Sequence, residues 1–486
     1  MPPPPGAILN SAKVYCIIAI WYNMFVTGKE VPHMKITTCY SVALRSQMTS
    51  EAPGKQKDAD AFNGAMKIDG SLLRATADEC LAAYRMCLDI FRREWNGIRQ
   101  VHSSTYRRRH CETLIHSTRG SAAAYPEFDE AHGYMPAYMR RSVISDALGA
   151  VSGFMSLHER WEEADPAERG SEPVLGCPDR YAMTFYKDSR ETSLLNAGII
   201  GLKLYDGRTW DWHYFRISAS DARYIQRMGV GRKMLSPVIE RKNHRWHVRF
   251  SFEEERQLTE KKPSEQRILA VDLGITAPAT WCVMEPDGTV RARGSVRLAR
   301  EEDRLRHLMN RSRMFQQEGK KSRSIWRMVD STNRELSIAT ARGIIAAAEA
   351  WGVDCIVFEH LDRSGKKHGK LAQRLHMWRS GDVQKRVALQ AHRRGMRISR
   401  VCAWNTSKLA FDGSGEVKRG RKAGEGVPYG TCVFSTGKIY SCDLSAAYNI
   451  GARYYLRDIG KRFPAFSLPP ASRRTMSDLW KAAEAL

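Results

Sequence analysis

Hydrophobic residues change their spacing several times along the chain, and each spacing predicts a different kind of element. Residues 34–47 carry β-forming side chains in partial alternation, which indicates a strand. After a polar stretch, the apolar residues from Tyr84 to Trp95 recur at helical spacing. Thr76 and Glu79 form a capping-box pattern ahead of them, so we predict that a helix begins there.

A second helix is predicted after Pro136, because five apolar residues share one helical face: Ile144, Ala147, Leu148, Val151 and Met155. A basic cluster, Thr105–His110, lies between the two helices. From about residue 175 the pattern returns to strands, in the runs AMTFYK, GIIGLKLY, WHYFRIS and HRWHVRFSF. Strands before and after a helical stretch favour one split β-barrel interrupted by a helical domain.

The first candidate catalytic carboxylate follows a polar, proline-containing linker at residues 256–266. Ile268–Val271 is a continuous apolar run typical of a buried strand, and Asp272 stands near its end. Two further strands joined by a turn at Pro286–Gly288 follow it. An aspartate on the first strand of such a meander occupies the place where RNase H-like nucleases carry a metal ligand.

Two more carboxylates complete the candidate site. A predicted helix at about Ser331–Trp351 leads into an apolar strand, Val353–Phe358, and Glu359 stands at the end of that strand. Asp443 precedes an amphipathic helix, where an aspartate can also serve as an N-cap. Each acid alone is more typical of a turn or a cap than of catalysis. Their order and local context together favour a catalytic site.

The residue types suit phosphodiester hydrolysis. Two Mg²⁺ ions about 3.5–4 Å apart need carboxylates that hold both of them. Mg²⁺ prefers oxygen ligands and keeps several waters, so three acids and a substrate phosphate suffice. We therefore predict that Asp272, Glu359 and Asp443 are the metal-binding and catalytic residues.

The charge balance points to a polyanionic partner. The 486-residue chain has 77 Lys and Arg against 53 Asp and Glu, a formal net charge of +24. An excess of this size favours binding to nucleic acid through the release of counterions. Eleven cysteines are scattered without a CxxC pair, as in reduced cytosolic proteins. The apolar stretch at residues 14–26 is too short and too polar to span a membrane, so no membrane partner is expected.

Three segments resemble the RuvC motifs of TnpB transposon-associated nucleases and of the related compact type V CRISPR effectors. They are VDLGI around Asp272, IVFEHL around Glu359 and DLSAAYNIGA from Asp443, where Ser445 replaces the usual Asn. Softer matches are Thr406–Ser407, the basic segment between the first two motifs, and the helix after Pro136, which resembles the recognition lobe of these proteins. The specific resemblance covers residues 268–455.

The resemblance implies a multidomain α+β and α/β protein: a split β-barrel wedge domain with an inserted helical recognition domain, then an RNase H-like RuvC nuclease domain with a degenerate zinc-ribbon-like insertion. The expected parts are an N-terminal extension (1–33), wedge (34–60 and 171–260), recognition domain (61–170), RuvC (261–401 and 441–486) and the insertion (402–440). Residues 1–33 could precede the true start at Met34, which the sequence leaves open.

The resemblance also implies partners. Such proteins bind a guide RNA, either a crRNA with or without a tracrRNA or a fused scaffold, and cut double-stranded DNA beside a short flanking motif. We expect one protein per guide RNA, with a dimer left open, in the prokaryotic cytoplasm. The basic and aromatic residues predicted to contact nucleic acid are Arg107, Arg108, Arg140, Arg141, Arg311, Arg313, Lys320, Lys321, Arg323, Trp326, Arg327, Arg374, Trp378 and Arg379. Core packing is the competing interpretation for each Trp.

One departure from the family concerns zinc. Relatives usually carry two CxxC pairs between the second and third acids, and alignment puts Ala410, Gly413, Val433 and Thr436 at those positions. None of these side chains can bind zinc, so no structural zinc is predicted. The insertion that follows residue 411 is predicted to be a flexible basic loop, in a module that either persists through packing or is partly disordered.

Three alternatives stay open. A TnpB-type nuclease would take its guide from a transposon end. A transposase or a junction resolvase would use the same RNase H-like core without a guide, although the N-terminal strands and helices argue against it. A guided protein that binds without cutting is disfavoured because all three acids are present.

Overall fold

The computed structural model describes residues 33–49, 64–118, 120–166, 169–274, 277–320, 322–361, 379–424, 427–428 and 430–486. The predictions for residues 1–32, including the apolar stretch at 14–26, lie outside these residues. The chain divides into two compact units, Thr37–Glu254 and Glu255–Leu486. The described residues 33–36 group with the second unit.

The first unit combines a helical segment with strands on both sides of it in sequence. The strands described there are β1 (His33–Ala43), β2 (Ser46–Thr49), β3 (Gly64–Met66), β4 (Met183–Thr184), β5 (Arg190–Glu191), β6 (Ile199–Tyr205), β7 (Trp210–Arg216), β8 (Lys233–Met234), β9 (Val238–Lys242) and β10 (Arg245–Gln257). The helices are α1 (Gly70–Arg93), α2 (Trp95–Gln100), α3 (Ser104–Ile115), α4 (Glu127–His132), α5 (Ala137–Glu163) and α6 (Ala219–Gly229).

Strands from before and after the helical segment pair with each other. One sheet has the order β1-β10-β9-β4, with β8 also paired to β10, and the other has the order β3-β2-β7-β6-β5. The run AMTFYK contributes only the two-residue β4, while the other three predicted runs overlap β6, β7 and β10. The interrupted organisation is therefore present as two sheets, and a split barrel stays a prediction.

The first long helix begins earlier than its sequence pattern predicts. Asp69 is the N-cap of α1, and its side chain accepts a hydrogen bond of 2.8 Å from the backbone N of Ser71. Thr76 lies inside the helix, where its hydroxyl donates to the carbonyl of Leu72 at 2.8 Å. The capping-box prediction for Thr76 and Glu79 is therefore wrong. The helix has already begun at Gly70, and the Thr76 hydroxyl bonds to the carbonyl four residues earlier instead of capping a helix start.

The helix after Pro136 is confirmed as α5, with Pro136 as its N-cap. Ile144, Ala147 and Val151 are fully buried in the core of the first unit, against α1 and the strands. The basic cluster Thr105–His110 lies on α3. No helix within the described ranges is long and apolar enough to cross a membrane.

The second unit is built around one five-stranded sheet. The strands described there are β11 (Ile268–Asp272), β12 (Ala279–Met284), β13 (Val290–Val296), β14 (Cys355–His360), β15 (Arg397–Cys402), β16 (Lys418–Arg419), β17 (Thr431–Val433) and β18 (Ile439–Ser441). The helices are α7 (Ala299–Gln317), α8 (Arg323–Ala350), α9 (Ser380–Arg393), α10 (Cys442–Arg462) and α11 (Met476–Ala485).

The order of the central sheet is β13-β12-β11-β14-β15. The first three strands are antiparallel, whereas β11, β14 and β15 run parallel to one another. Alternate residues of β11 enter different cores: Ile268 and Ala270 pack with α10, and Leu269 and Val271 pack with α8 and α9. Both faces are therefore covered, which explains why the strand is apolar throughout.

Close packing of α10 on the sheet depends on a small residue. A Cβ atom on Gly451 would lie 2.9 Å from the Met284 sulfur and 3.3 Å from the Ala270 Cβ. A larger side chain would push the helix away from β11 and β12. Because α10 carries Asp443 near its start, this contact also determines where that acid lies.

Candidate active site

Two of the predicted acids lie side by side at one edge of the central sheet. Asp272 is the last residue of β11 and Glu359 is the penultimate residue of β14. The two strands are parallel and pair through Val271 and Phe358, so the next residues on each strand are the two carboxylates. The carboxyl ends of parallel strands are where such sheets present their functional groups.

The third acid comes from the first turn of α10. Asp443 is the second residue of that helix, and the N-cap is Ser441, whose hydroxyl accepts from the backbone N of Leu444 at 3.4 Å. The interpretation of Asp443 as an N-cap is therefore wrong. The carboxylate is free of capping, and the positive end of the helix dipole favours its charge.

The electrostatics link the three side chains. Burial raises the pKa of Asp272 well above its usual value, and the neighbouring charges of Glu359 and Asp443 raise it further. Burial also raises the pKa of Glu359 and of Asp443. Several carboxylates that oppose one another's ionisation favour the binding of a cation among them.

These acids have the donor chemistry that Mg²⁺ requires, since all their ligand atoms are carboxylate oxygens. Within the described ranges, no group of three or more His, Cys, Asp or Glu side chains is placed to hold a metal ion. Asp272 and Glu359 thus share one sheet edge, and Asp443 of α10 interacts electrostatically with Asp272, but the three carboxylates do not form a closed coordination sphere.

A threonine orients the second acid. The hydroxyl of Thr406 donates to Oε1 of Glu359, and it lies 2.9 Å from the carbonyl oxygen of Ala403. This hydrogen bond lowers the pKa of Glu359 and so opposes the effect of burial. Gln384 binds the same residue from α9, with its Nε2 3.2 Å from the Glu359 carbonyl. The carboxylate is therefore held in a defined position.

Asn449 fixes the segment that carries this threonine. It is fully buried on α10, and its Nδ2 donates to the carbonyls of Thr406 at 3.0 Å and Leu409 at 2.9 Å. Its Oδ1 accepts from the backbone N of Met476 at 3.2 Å. Asn449 thus supports the site by fixing backbone segments, and its three hydrogen bonds all go to backbone atoms and not to the acids.

Arg453, one turn further along α10, is a buried cation behind the site. Its Nη1 donates to the carbonyls of Cys402 and Trp404, each at 2.7 Å, and its Nη2 donates to Ser472 at 3.1 Å. Its positive charge lowers the pKa of Glu359. The guanidinium therefore connects the loop after β15 to α10 through hydrogen bonds, and its positive charge partly offsets the negative charge of Glu359.

Sequence reasoning missed both cations near the acids, Arg453 and Arg419. Arg419, on β16, lowers the pKa of both Asp272 and Asp443 through its charge. Its Nε is buried and has no hydrogen-bond partner among the described residues. The only sequence signal was a run of basic residues in the insertion, which does not distinguish one arginine from the others. The side chain adds a positive charge beside two of the candidate acids.

The insertion is ordered where the structure describes it. Strands β16, β17 and β18 form a small antiparallel sheet, so the prediction of a flexible loop is wrong for β16 and the 3₁₀ turn Gly420–Ala423 after it. Phe411 lies at its centre, with ring centroids 5.5 Å from Phe434, 5.1 Å from Tyr440 and 5.1 Å from Tyr448. Contacts among these aromatic rings therefore stabilise the small sheet. Ala410, one of the positions aligned with a zinc ligand of the relatives, is buried.

The predicted nucleic-acid contacts of the first unit lie on two helices. Arg107 and Arg108 are on α3, and Arg108 is exposed. Arg140 and Arg141 are on α5 and both pair with Glu112. Arg140 is only 6% exposed, so its guanidinium is engaged inside the fold. These four assignments stay predictions, and burial favours a structural role for Arg140.

Those of the second unit lie mainly on α7, α8 and the turn between them. Exposed side chains there are Arg311, Arg313, Lys320, Arg323 and Arg327. Trp326 is half-buried against the cluster of Leu308, Ile325 and Val329, which agrees with core packing. Arg379 precedes α9 and pairs with Asp330. Lys321, Arg374 and Trp378 lie outside the described residues.

Comparison with known proteins gives a fold and one family match. The Aq_aa04 family matches residues 65–206, which belong to the first unit. No curated protein matches the chain. The Cas12f1 chain in the cryo-EM structure of the Cas12f1–sgRNA–target DNA complex is similar, with 10% identity and a TM-score of 0.51, over 92% of this chain and 99% of that one. CasPhi-2 (Cas12j), bound to crRNA and phosphorothioate DNA, has 11% identity and a TM-score of 0.43, over 96% and 98% of the two chains. The chain is therefore similar in fold to compact type V CRISPR effectors.

Proposed function

We propose that this protein is an RNA-guided DNA endonuclease with a single RuvC-type site formed by Asp272, Glu359 and Asp443. The observation that carries the proposal is the meeting of Asp272 and Glu359 on adjacent parallel strands, with Asp443 close enough to raise the pKa of Asp272. Metal-assisted phosphodiester hydrolysis needs carboxylates that lie close together in space, and here the fold gathers acids that are far apart in the sequence.

Each residue of the site has a defined role in the proposed reaction. The three carboxylates would hold Mg²⁺, which when bound would supply a lowered pKa for an attacking water and positive charge for the phosphate. Thr406 keeps the Glu359 carboxylate in one orientation, so that no reorganisation is required during the reaction. Arg419 supplies a fixed positive charge for the substrate phosphate, and its guanidinium geometry suits that ligand.

The guided part of the proposal rests on charge and fold. The net charge of +24 favours the binding of two polyanions, an RNA and a DNA. The similar Cas12f1 chain was solved with an sgRNA and target DNA. In the proposed mechanism, pairing between guide and target supplies sequence specificity, while the protein binds backbone and shape. Such an enzyme would act in the prokaryotic cytoplasm.

The source of the guide separates two versions of this function. A CRISPR effector and a TnpB-type nuclease would use the same acids, and only the RNA differs. Purification of the protein from cells carrying its native locus, followed by sequencing of the bound RNA, tests both. A constant scaffold with variable ends matching foreign DNA supports the CRISPR version, and one species from a transposon end supports the TnpB version. The absence of any enriched RNA would contradict guidance and favour a transposase or resolvase.

A further inference from the structure

One tryptophan beside the candidate site is exposed to solvent. Trp404 is 75% exposed, whereas the other tryptophans that the structure describes are buried or half-buried, except Trp351 at 40%. An indole is a large apolar group, and its exposure is unfavourable unless a partner covers it. Trp404 therefore calls for a functional explanation.

The backbone around this indole is fixed. The carbonyl of Trp404 accepts a 2.7 Å hydrogen bond from Arg453, which is buried. Asn405 follows with a φ of 62°, in the left-handed region that non-glycine residues rarely adopt. The carbonyl of Thr406 is held by Asn449 at 3.0 Å. The chain thus holds an exposed side chain on a rigid turn, as a preorganised binding element requires.

The turn lies at the sheet edge that carries the acids. It follows β15, where Val401 and Cys402 are the partners of Glu359 and His360 on β14. Two residues after Trp404, the Thr406 hydroxyl donates to the Glu359 carboxylate. Any displacement of the turn would therefore be transmitted to a catalytic acid.

The surroundings suit a nucleotide. Lys408, four residues after Trp404, is exposed, and so is His360, which pairs with Cys402 at the end of β14. An exposed aromatic group together with a basic residue such as Lys408 is the usual platform for bases of single-stranded nucleic acid, because every base has a face that stacks. A DNA strand that enters the site must be single-stranded near the scissile bond, so unstacked bases are available there.

We propose that Trp404 is a positioning residue that stacks on one base of the DNA strand at the nuclease site. This inference rests on the proposed function and adds the class of group recognised, an unpaired nucleobase near the cut. Stacking fixes the register of the strand, so the scissile phosphate stays opposite the acids. Because any base can stack, the contact adds no sequence preference.

The test uses the full chain loaded with its co-purified RNA and a guide-matched DNA. Trp404→Ala is expected to lower kcat/KM about 5- to 150-fold, the range for loss of one base–aromatic stack, and Trp404→Phe is expected to retain most of the wild-type value. Trp351→Ala is the matched control, since it removes an exposed tryptophan that lies ahead of β14, at the opposite edge of the sheet. It is expected to stay within about twofold of the wild type, as is normal for a surface substitution, and the backbone carbonyl of Trp351 that binds Arg267 is kept.

A second readout separates stacking from a structural role. Abasic sites placed singly along the DNA should slow the wild type at one position and have no further effect there in Trp404→Ala. In an Asp272→Ala background, which keeps the DNA intact, 2-aminopurine at that position should be quenched on binding, and the quenching should vanish with Trp404→Ala.

Either of two results would overturn the inference: Trp404→Ala cutting at the wild-type rate, or a slow Trp404→Ala enzyme with an unchanged abasic profile and unchanged quenching. The second result would assign Trp404 to a contact with protein. Failure of the proposed function looks different, since the guide-loaded wild type would then not cut, or Asp272→Ala would cut equally fast.

Discussion

The hydrogen bond from Thr406 to Glu359 offers a sharp test of how the site is held. Thr406→Val keeps the size and branching of a side chain that is 2% exposed and removes only its hydroxyl. The Glu359 carboxylate loses its donor, while the backbone bonds from Asn449 remain. We therefore expect the fold to survive and the reaction to slow.

The size of the effect follows from the chemistry of the bond. A hydrogen bond to a charged group contributes about 1.5–3 kcal/mol. If all of it acts in the transition state, the rate falls about 10- to 150-fold, at roughly 1.4 kcal/mol per factor of ten. Loss of the bond also raises the pKa of Glu359, so half-maximal activity should need more Mg²⁺.

The assay is single-turnover cleavage of guide-matched DNA as a function of Mg²⁺ concentration. Thr406→Ser is the matched control, because it keeps the hydroxyl and should stay within a few-fold of the wild type. Cleavage by Thr406→Val at the wild-type rate and with the wild-type Mg²⁺ requirement would refute the role of this bond.

Three further predictions concern the surroundings of the site. Arg419→Ala should slow single-turnover cleavage about 10- to 100-fold, and Arg419→Lys should recover part of it, because the positive charge lies among the acids; equal rates for all three proteins would contradict this. Phe411→Ala should destabilise the small sheet by about 3–5 kcal/mol, seen as faster hydrogen exchange in β16–β18, and Phe411→Leu by less. Burial lowers the pKa of His392 to about 4, so the unfolded state gains a proton first as pH falls below about 6.5. Between pH 7.5 and pH 5 this residue should cost about 2 kcal/mol of stability, and His392→Leu should show a shallower loss in denaturant titrations; an identical pH slope would contradict it.

The sequence predicts that Asp272 and Glu359 lie together because each stands at the end of an apolar strand. Ile268–Val271 and Val353–Phe358 are apolar runs because both sheet faces are covered, and a carboxylate that follows each run lies at the same edge. Periodicity likewise predicts α5, whose buried face extends from Met139 to Val151.

What the sequence does not reveal depends on contacts between distant segments. Ser441, not Asp443, caps α10, since several polar residues stand near the helix start and only the backbone geometry selects one. Arg419 acts on the acids from the small sheet, and the turn that carries Trp404 reaches Glu359 through Thr406, and neither residue has a local pattern that indicates this. Trp326 has basic neighbours, yet it packs in a core, whereas Trp404 is exposed.

The most direct measurement is single-turnover cleavage of guide-matched duplex DNA by the RNA-loaded protein and its Asp272→Ala variant. Asp303→Ala, which removes an exposed aspartate of α7 that pairs only at the surface, serves as the control. We predict Mg²⁺-dependent cleavage by the wild type and by Asp303→Ala, and a loss of at least about a thousandfold in Asp272→Ala with RNA and DNA binding retained. Cleavage by Asp272→Ala at the wild-type rate would contradict the assignment of the site.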